Sequence, residues 1–266
     1  MGRVALGISY DGRGWSGWQT QPGGQTVQDQ LEAAIASFVG APVNTICAGR
    51  TDAGVHALGQ VVHLDSPVNR SESAWVRGLN SALPDSIAVQ WARPVSDAFH
   101  ARFSATTRSY TYVICNTPVR QPLWAARAGW CFRPLDAHIM QAGADLFVGE
   151  HDFSSFRSSQ CQAASPVRTM HSLAVEQREH LILVHLKANA FLHHMVRNIV
   201  GELVLLGQGK TDLEHLKRIL QARDRTLAAP TFSASGLYLT QVTYPTDVLP
   251  NQPANTDTFM HILEPF

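Results

Sequence analysis

One short stretch of the sequence combines residue types that could perform nucleophilic or acid–base chemistry. Residues 49–56, Gly-Arg-Thr-Asp-Ala-Gly-Val-His, place a cation, Arg50, and a carboxylate, Asp52, between two glycines. Glycine lets a backbone turn tightly and lets a ligand approach closely, and an arginine can bind a phosphate or hold a displaced base. The same residues fit a plain hairpin turn in which Asp52 bonds nearby amides and pairs with Arg50. Taken alone, the composition favours the turn.

A second glycine-rich stretch, residues 12–17, matches the pattern G-x-G-x-x-G. A dinucleotide-binding loop must open directly into a helix whose first turn holds the pyrophosphate. Here Pro22-Gly23-Gly24 comes before the first helical period. The pattern therefore disfavours an NAD-dependent oxidoreductase and indicates a turn that exposes Trp15 and Trp18.

Histidines and cysteines occur in arrangements that do not suggest a metal site. His193-His194 and His151-Asp152 are adjacent pairs, whose side chains would diverge on a helix. The sequence has neither an H-E-x-x-H pattern nor zinc-type Cys/His spacing. The four cysteines are widely spaced, which is typical of reduced thiols in a cytoplasmic protein. We therefore expect no metal.

The first hundred residues predict elements in the order β-α-β-β-α-β. Thr26 can cap a helix in which Val27, Leu31 and Ile35 share one face. Alternating apolar residues at Val4 and Leu6 indicate a strand before it. The remaining predicted elements are apolar runs at 43–48 and 60–65, a helix at 73–82 and a strand at 87–93.

The second half repeats this order with insertions. Strands are predicted at 108–115, 169–177, 180–188 and 236–244. Helices are predicted at 135–147, at 190–206, and to about 222 from a capping box formed by Thr211 and Glu214.

Two such units in succession predict an α+β fold with two ferredoxin-like halves. The halves are expected at 1–103 and 104–245, sharing an extended, mainly antiparallel sheet with helices on one face. Residues 246–266 contain prolines and acidic residues without Lys or Arg, which indicates an irregular tail.

The charge balance hides an uneven distribution. Of 266 residues, 21 are basic and 21 acidic, so the formal net charge is zero, which argues weakly against a nucleic-acid partner. However, all but three of the basic residues are arginines, and residues 93–133 hold six of them against Asp97 alone. Arginine suits phosphates and base stacking, so a local arginine-rich cleft is expected on a nearly neutral molecule. No apolar run is long enough to span a membrane, and the amino terminus does not resemble a secretory signal.

Several motifs in order along the chain resemble one family. GRTDAGVHALGQVVH at 49–63 resembles the signature loop of the tRNA pseudouridine synthase A family. The similarity covers about 240 residues and leaves out only the tail. The other similar blocks are Tyr10-Asp11-Gly12, Gly17-Trp18-Gln19, Thr26-Val27-Gln28, Leu31-Glu32, Leu79-Asn80, Leu83-Pro84, Phe99-His100-Ala101-Arg102, Arg108-Ser109-Tyr110, residues 149–153, Ser155-Phe156, residues 191–198 with Gly201, Ala229-Pro230, residues 236–239 and Tyr244-Pro245.

The resemblance implies an activity and a set of partners. It implies the pseudouridine synthase fold and isomerisation of uridine to pseudouridine at positions 38, 39 and 40 of the tRNA anticodon stem-loop. It also implies a homodimer and a cytoplasmic enzyme that uses neither metal nor organic cofactor. The alternative is a catalytically silent tRNA-binding protein on the same scaffold.

The resemblance also assigns roles to five residues. Asp52 matches the catalytic aspartate, which could attack the sugar or act on its C2′ proton. Arg197 matches the arginine that faces this aspartate, and Tyr110 matches the tyrosine that stacks on the target base and assists proton transfer. Leu237 matches an apolar residue packed on the base, and Arg50 matches an arginine that holds the flipped base. By residue type alone, Tyr110 could be a core aromatic and Arg197 a solvent-facing helix residue.

Overall fold

The structure, a computed structural model, describes residues 2–250 and divides into two compact units. Of the described residues, the first unit contains 2–106 together with 238–250, and the second contains Thr107–Leu237. The predicted boundary at 103 stays a prediction. Within the described range, no helix is long and apolar enough to cross a membrane. All four cysteines are free, as predicted.

The first unit has the predicted element order. Its elements are β1 (Gly2–Tyr10), α1 (Val27–Val39), β2 (Ile46–Cys47), β3 (His56–Ser66), α2 (Glu72–Asn80), β4 (Ile87–Val95) and β10 (Leu237–Thr243). β1 lies between β4 and β3 and pairs antiparallel with both, and β2 pairs antiparallel with β3. β10 runs parallel to β3, with Tyr238 opposite His56.

Apolar side chains at helical spacing form the core of the first unit. Thr26 caps α1 as predicted, accepting a hydrogen bond from the Asp29 amide, and Leu31 and Ile35 are fully buried. α1 lies beside α2, where the Phe38 and Trp75 rings are 5.1 Å apart. Gly40 ends α1 in a left-handed conformation, which glycine adopts without steric cost.

The second unit is also a sheet with helices. Its strands are β5 (Thr107–Asn116), β6 (Gly129–Cys131), β7 (Gly149–Asp152), β8 (Val167–Arg178) and β9 (Leu181–Ala188). β5, β9, β8 and β7 are neighbours in that order, all antiparallel, whereas β6 runs parallel to β5. Its helices are α3 (Ala137–Asp145), α4 (Met195–Gly207) and α5 (Leu213–Ala222), with 3-10 turns at Pro122–Trp124, Ser154–Phe156 and Arg225–Leu227. The predicted α+β class with mainly antiparallel pairing is confirmed.

α4 is the central helix of the second unit. All of its residues except Arg197 and Leu205 are buried. α4 packs against α3, where a side chain at Gly143 would lie 2.3 Å from Leu206. Such burial explains why apolar residues surround this helix on most sides, since a helix exposed on one face would carry polar residues along that face.

Two helix starts differ from the prediction. The helix expected from 190 begins at Met195, because His194 has a positive φ of 64° that ends any helix running through it. The capping residue of α5 is Asp212, not Thr211. The Asp212 carboxylate accepts from the His215 amide at 2.7 Å. Aspartate caps a helix as well as threonine does, so Asp212 can take the place predicted for Thr211.

Candidate functional site

The loop between β2 and β3 presents Asp52 and Arg50 in the first unit. Asp52 is half-buried, whereas Arg50 is exposed. The Asp52 carbonyl accepts a hydrogen bond from the Val55 amide at 3.1 Å, and Gly54 has a φ of 78° inside this turn. The turn therefore holds the backbone of Asp52 in place while its side chain keeps some access to solvent.

Thr51, next to Asp52, is buried and tied to two other elements. Its carbonyl accepts from the Trp18 amide at 3.0 Å, and its hydroxyl lies 2.7 Å from the Tyr10 hydroxyl at the end of β1. A buried hydroxyl pair of this kind is costly to break, because water cannot replace the lost hydrogen bond inside the protein. The residue preceding the carboxylate is thus fixed from both sides.

The glycine-rich stretch at 12–17 packs directly against this loop. A side-chain carbon at Gly17 would lie 2.7 Å from the Thr51 carbonyl oxygen, and one at Gly12 would lie 2.1 Å from the Val55 carbonyl oxygen. No helix opens until Val27. The stretch is therefore a support for the Asp52 loop, and its glycines allow two backbones to meet. Trp18, predicted to be exposed, is 1% exposed.

Polar groups beneath the loop are paired. The Gln60 amide nitrogen, buried in β3, donates to the Gly49 carbonyl at 2.6 Å. The His56 ring accepts from the Gly12 amide at 3.1 Å and stacks on Tyr238 at 4.6 Å. These bonds hold both ends of the loop on the sheet.

Asp11 carries a negative charge beside this support. Burial raises the pKa of the Asp11 carboxyl, but the hydrogen bonds from Arg13 and the charges of His56 and Arg13 outweigh burial. The net pKa lies below its ordinary value. The carboxylate lies 3.2 Å from the His56 ring nitrogen.

Tyr110 lies in β5 of the second unit and is 8% exposed. The Phe191 ring meets it edge to face, with ring centres 5.0 Å apart. Edge-to-face contact fixes the plane of an aromatic ring. This geometry fits a core aromatic and equally fits a ring held ready to stack on a base.

Arg197 is held by the segment that precedes β10. Its Nε donates to the Phe232 carbonyl at 2.9 Å, and the Arg197 carbonyl accepts from the Phe232 amide at 3.3 Å. Arg197 is only partly buried, although the helix around it is buried. One edge of the guanidinium is therefore oriented by the backbone, as an arginine with a fixed task requires.

Asn198 supports the same helix from inside the second unit. It is completely buried; its Nδ2 donates to the Phe156 carbonyl at 2.8 Å. Its Oδ1 accepts from Arg225 at 3.1 Å and from the Thr231 hydroxyl at 2.7 Å. Residues 229–232 lie against α4 at Gly201. A side-chain carbon added at Gly201 would be only 2.7 Å from the Pro230 carbonyl oxygen, so this contact requires a glycine.

Leu237 opens β10 and is 5% exposed. Gly236 before it lies so near β5 that a side-chain carbon would be 2.3 Å from the Val113 carbonyl. The Val113 amide in turn donates to the Gly236 carbonyl at 2.8 Å. The structure thus places Leu237 directly after a segment that is bonded to the strand carrying Tyr110.

The other predicted candidates fall in different surroundings. His193 and His194 precede α4, and their rings are 4.0 Å apart, so the prediction that they diverge on a helix was wrong. The His151 ring packs edge to face on buried Phe153 at 5.9 Å. The expectation that the protein uses no metal stays a prediction.

Three supporting residues were not predicted: Tyr10, Thr51 and Asn198. All three lie inside motifs that resemble the family, so the signal was present. What the sequence lacked was the pairing, since Tyr10 and Thr51 are 41 positions apart and meet only in the folded sheet. The partners of Asn198 are likewise distant in sequence.

Comparison with known proteins identifies the family. Residues 8–104 and 144–245 match the model of a family described as tRNA pseudouridine synthase. Because these residues make up more than half of the chain, the chain belongs to the tRNA pseudouridine synthase family, as the motifs predicted. The matched ranges include all five residues assigned a role except Tyr110.

Curated relatives agree along nearly their full lengths. A protein of Bordetella parapertussis named tRNA pseudouridine synthase A is 59% identical over 93% of this chain and 92% of its own. Relatives with the same name in Bordetella petrii and Paraburkholderia xenovorans are 57% and 56% identical, covering 100% and 92% of this chain and 99% and 91% of theirs. A solved Cbf5-Nop10-Gar1 complex aligns with 89% of this chain and 48% of that chain at 12% identity and a TM-score of 0.38, which is too low to assign the fold.

Proposed function

We propose that the protein isomerises uridine to pseudouridine in tRNA, at positions 38, 39 and 40 of the anticodon stem-loop. The observation that carries the proposal is the family match together with full-length relatives named for this activity. The alternative, a silent tRNA-binding protein, receives no support from those relatives. We further propose that the enzyme works as a cytoplasmic homodimer.

The reaction rearranges bonds without net loss or gain of atoms. The bond between N1 of uracil and C1′ of ribose breaks, the base turns, and C5 bonds to C1′. The proton on C5 leaves, and N1 ends with a proton. Since no electrons are gained or lost overall, the proposal includes no redox cofactor.

Asp52 is proposed as the essential carboxylate. It can attack C1′, giving a covalent sugar ester that the turned base displaces, or it can remove the C2′ proton. Both routes need an ionised oxygen on a backbone that does not move. The turn at Asp52–Val55 and the bonds to Thr51 supply that rigidity.

The other residues are proposed to hold the substrate. Tyr110 stacks on the target base and assists proton transfer, and Leu237 packs on the base. Arg50 holds the flipped base, since a guanidinium gives paired donors in a fixed plane, and Arg197 is proposed as a catalytic residue. Unstacking a base costs a few kcal/mol, which such contacts must offset.

The experiment replaces the carboxylate without changing its size. We expect Asp52→Asn to fold, to bind tRNA like the wild type, and to form no pseudouridine, because an amide is neither a nucleophile nor a base here. Asp85→Asn, an exposed carboxylate in the turn before β4, is the control and should retain full activity. Pseudouridine is mapped by carbodiimide adducts that stop reverse transcription.

The outcomes separate the parts of the proposal. Substantial product from purified Asp52→Asn would remove Asp52 from its role. Product only at uridines outside the anticodon arm would keep the chemistry and overturn the positions. No product from the wild type, with tRNA binding intact, would favour the silent binding protein.

A further inference from the structure

One exposed aromatic side chain in the first unit stands out by its surroundings. Phe103, in the turn between β4 and β5, is 76% exposed. The exposed Arg102 beside it holds its guanidinium 5.6 Å from the centre of the Phe103 ring. A single exposed apolar side chain is common, so the case depends on how the turn is built and what lies near it.

The turn is anchored to the core. Phe99 and Ala101 are buried, at 1% and 0% exposure. The Ala101 amide donates to the His63 ring at 3.1 Å, and the Ala101 carbonyl accepts from the Tyr244 hydroxyl at 2.6 Å. Because the backbone on either side of Ala101 is bonded to buried groups, the two residues that follow have a fixed direction.

His100 fixes the backbone of the exposed pair itself. Its Nδ1 accepts from the amides of Arg102 and Phe103, each at 3.2 Å. Burial, followed by the charge of Arg3, lowers the pKa of His100, so the ring stays neutral and able to accept. The His100 ring also lies 4.3 Å from the Phe103 ring. Even so, most of the Phe103 surface remains open to solvent.

The turn that carries Arg102 and the strand that leads to Arg50 meet at His63. Ile46 of β2, the strand before the Asp52 loop, lies opposite His63 in β3. The His63 ring accepts from the Ala101 amide and lies 4.9 Å from the His100 ring. The exposed ring and its arginine belong to the same part of the first unit as the residue proposed to hold the displaced nucleotide.

We propose that Phe103 and Arg102 form a stacking platform for an unpaired nucleotide of the RNA other than the uridine that reacts. The inference rests on the proposed function, which supplies an RNA substrate. A base stacks on the open Phe103 ring, and Arg102 binds the phosphate of the same nucleotide. Stacking on an aromatic side chain combined with a cation at the backbone is the usual way in which proteins bind unpaired RNA. The built turn presents the ring in advance, so little ordering is needed on binding.

A second copy of the chain is the competing occupant. In a two-fold interface a residue meets a different residue of the partner unless it lies on the axis. A second copy would therefore have to place both an acidic group and an aromatic ring against this pair. RNA provides the opposite charge together with a flat aromatic partner, so it fits both members of the pair.

The first test measures binding of an anticodon stem-loop RNA. We expect Phe103→Ala to weaken binding roughly 5- to 100-fold, because the base loses its stacking partner. Phe103→Trp, which keeps an aromatic face, should bind like the wild type. Arg102→Gln should lower the salt dependence of binding by about one phosphate contact. The matched control is Phe132→Ala in the second unit. Phe132 is 54% exposed, with Arg133 5.5 Å from the ring centre, and we expect no more than a twofold change.

The second test asks for the contact directly. RNA carrying 5-iodocytidine in the loop is irradiated with the protein, and tryptic peptides are sequenced. The expected crosslink lies in the peptide of residues 103–108. Unchanged affinity of Phe103→Ala, an equal loss in Phe132→Ala, or crosslinks elsewhere would overturn the platform.

The platform and the proposed function fail differently. If the wild type forms pseudouridine while Phe103→Ala binds and reacts normally, only the platform is wrong. If the wild type forms none, the function is wrong whatever Phe103 does. A change in sedimentation of Phe103→Ala without RNA would assign this face to a contact between copies and also overturn the platform.

Discussion

Replacing Gly17 by alanine tests whether the glycine-rich stretch supports the Asp52 loop. Gly17 has a φ of 92°, and an added carbon would lie 2.7 Å from the Thr51 carbonyl oxygen. Gly14 provides a matched control, since it has a φ of 76° and nothing within 4 Å of an added carbon. Both substitutions strain the backbone, but only Gly17→Ala pushes on the residue before Asp52.

The difference between the two variants can be sized. A positive φ costs a residue with a side chain about 1–2 kcal/mol, which both variants pay. Gly17→Ala also displaces the Thr51 carbonyl and strains its bond from the Trp18 amide, worth about 0.5–1.5 kcal/mol. We therefore expect Gly17→Ala to lose roughly 1.5–3.5 kcal/mol of unfolding free energy and Gly14→Ala roughly 1–2 kcal/mol.

The catalytic effect should separate the variants more clearly than stability does. A displacement of 1 Å at a reacting group can cost about a hundredfold in rate. A shift of several tenths of an ångström at Thr51 should lower kcat by about tenfold in Gly17→Ala, with kcat of Gly14→Ala within about twofold of wild type. Single-turnover release of tritium from C5 of uridine measures the step, and urea unfolding measures stability. Equal kcat in both folded variants would refute the supporting role.

Two further predictions concern stability. Burial, and then the charge of Arg3, lowers the pKa of His63 to about 4. The unfolded chain therefore binds the proton near pH 6.5 and the folded chain only near 4, so stability should fall as pH drops through this window. Urea unfolding at pH 7 and 5 should show that His63→Gln loses less unfolding free energy on acidification than the wild type does. An equal loss in both proteins would exclude His63 as the cause. Asn198→Ala should cost about 2–5 kcal/mol, because partners such as Arg225 lose a buried bond. Asn198→Asp keeps the oxygen that accepts from Arg225, so it should lose less unfolding free energy than Asn198→Ala in the same assay. A larger loss in Asn198→Asp would contradict this prediction.

The strongly periodic elements were predictable from sequence. Thr26, Leu31 and Ile35 defined α1 with its cap, and alternation defined β5. The short strands β6 and β7 were missed, because three or four residues are too few to show a period. The start of α4 was misplaced because apolar spacing continues through residues 190–194, while the left-handed backbone at His194 leaves no trace in hydrophobicity.

The candidate site was predictable only by type and motif. The Asp52 loop was recognisable from its glycines and its charges, although these also fit a plain turn. Its support was not recognisable, because the G-x-G-x-x-G stretch at 12–17 predicted only a turn that exposes Trp15 and Trp18, once a phosphate-binding loop was disfavoured. Both uses of glycine rest on the same property, close backbone approach. Only the fold shows that the approaching group is the carbonyl of Thr51, and not a ligand.

Zero net charge is compatible with RNA binding once the arginines are located. Arg102 lies 5.6 Å from the centre of the exposed Phe103 ring and is proposed to hold RNA, whereas Arg133 beside Phe132 is the control pair and is expected to contribute little. A guanidinium beside a ring can meet phosphate while the ring offers a base its face. Such pairs gain part of their affinity from stacking, which salt screens little, and part from charge. A protein built this way can hold one shaped RNA without the large basic excess that binds any nucleic acid.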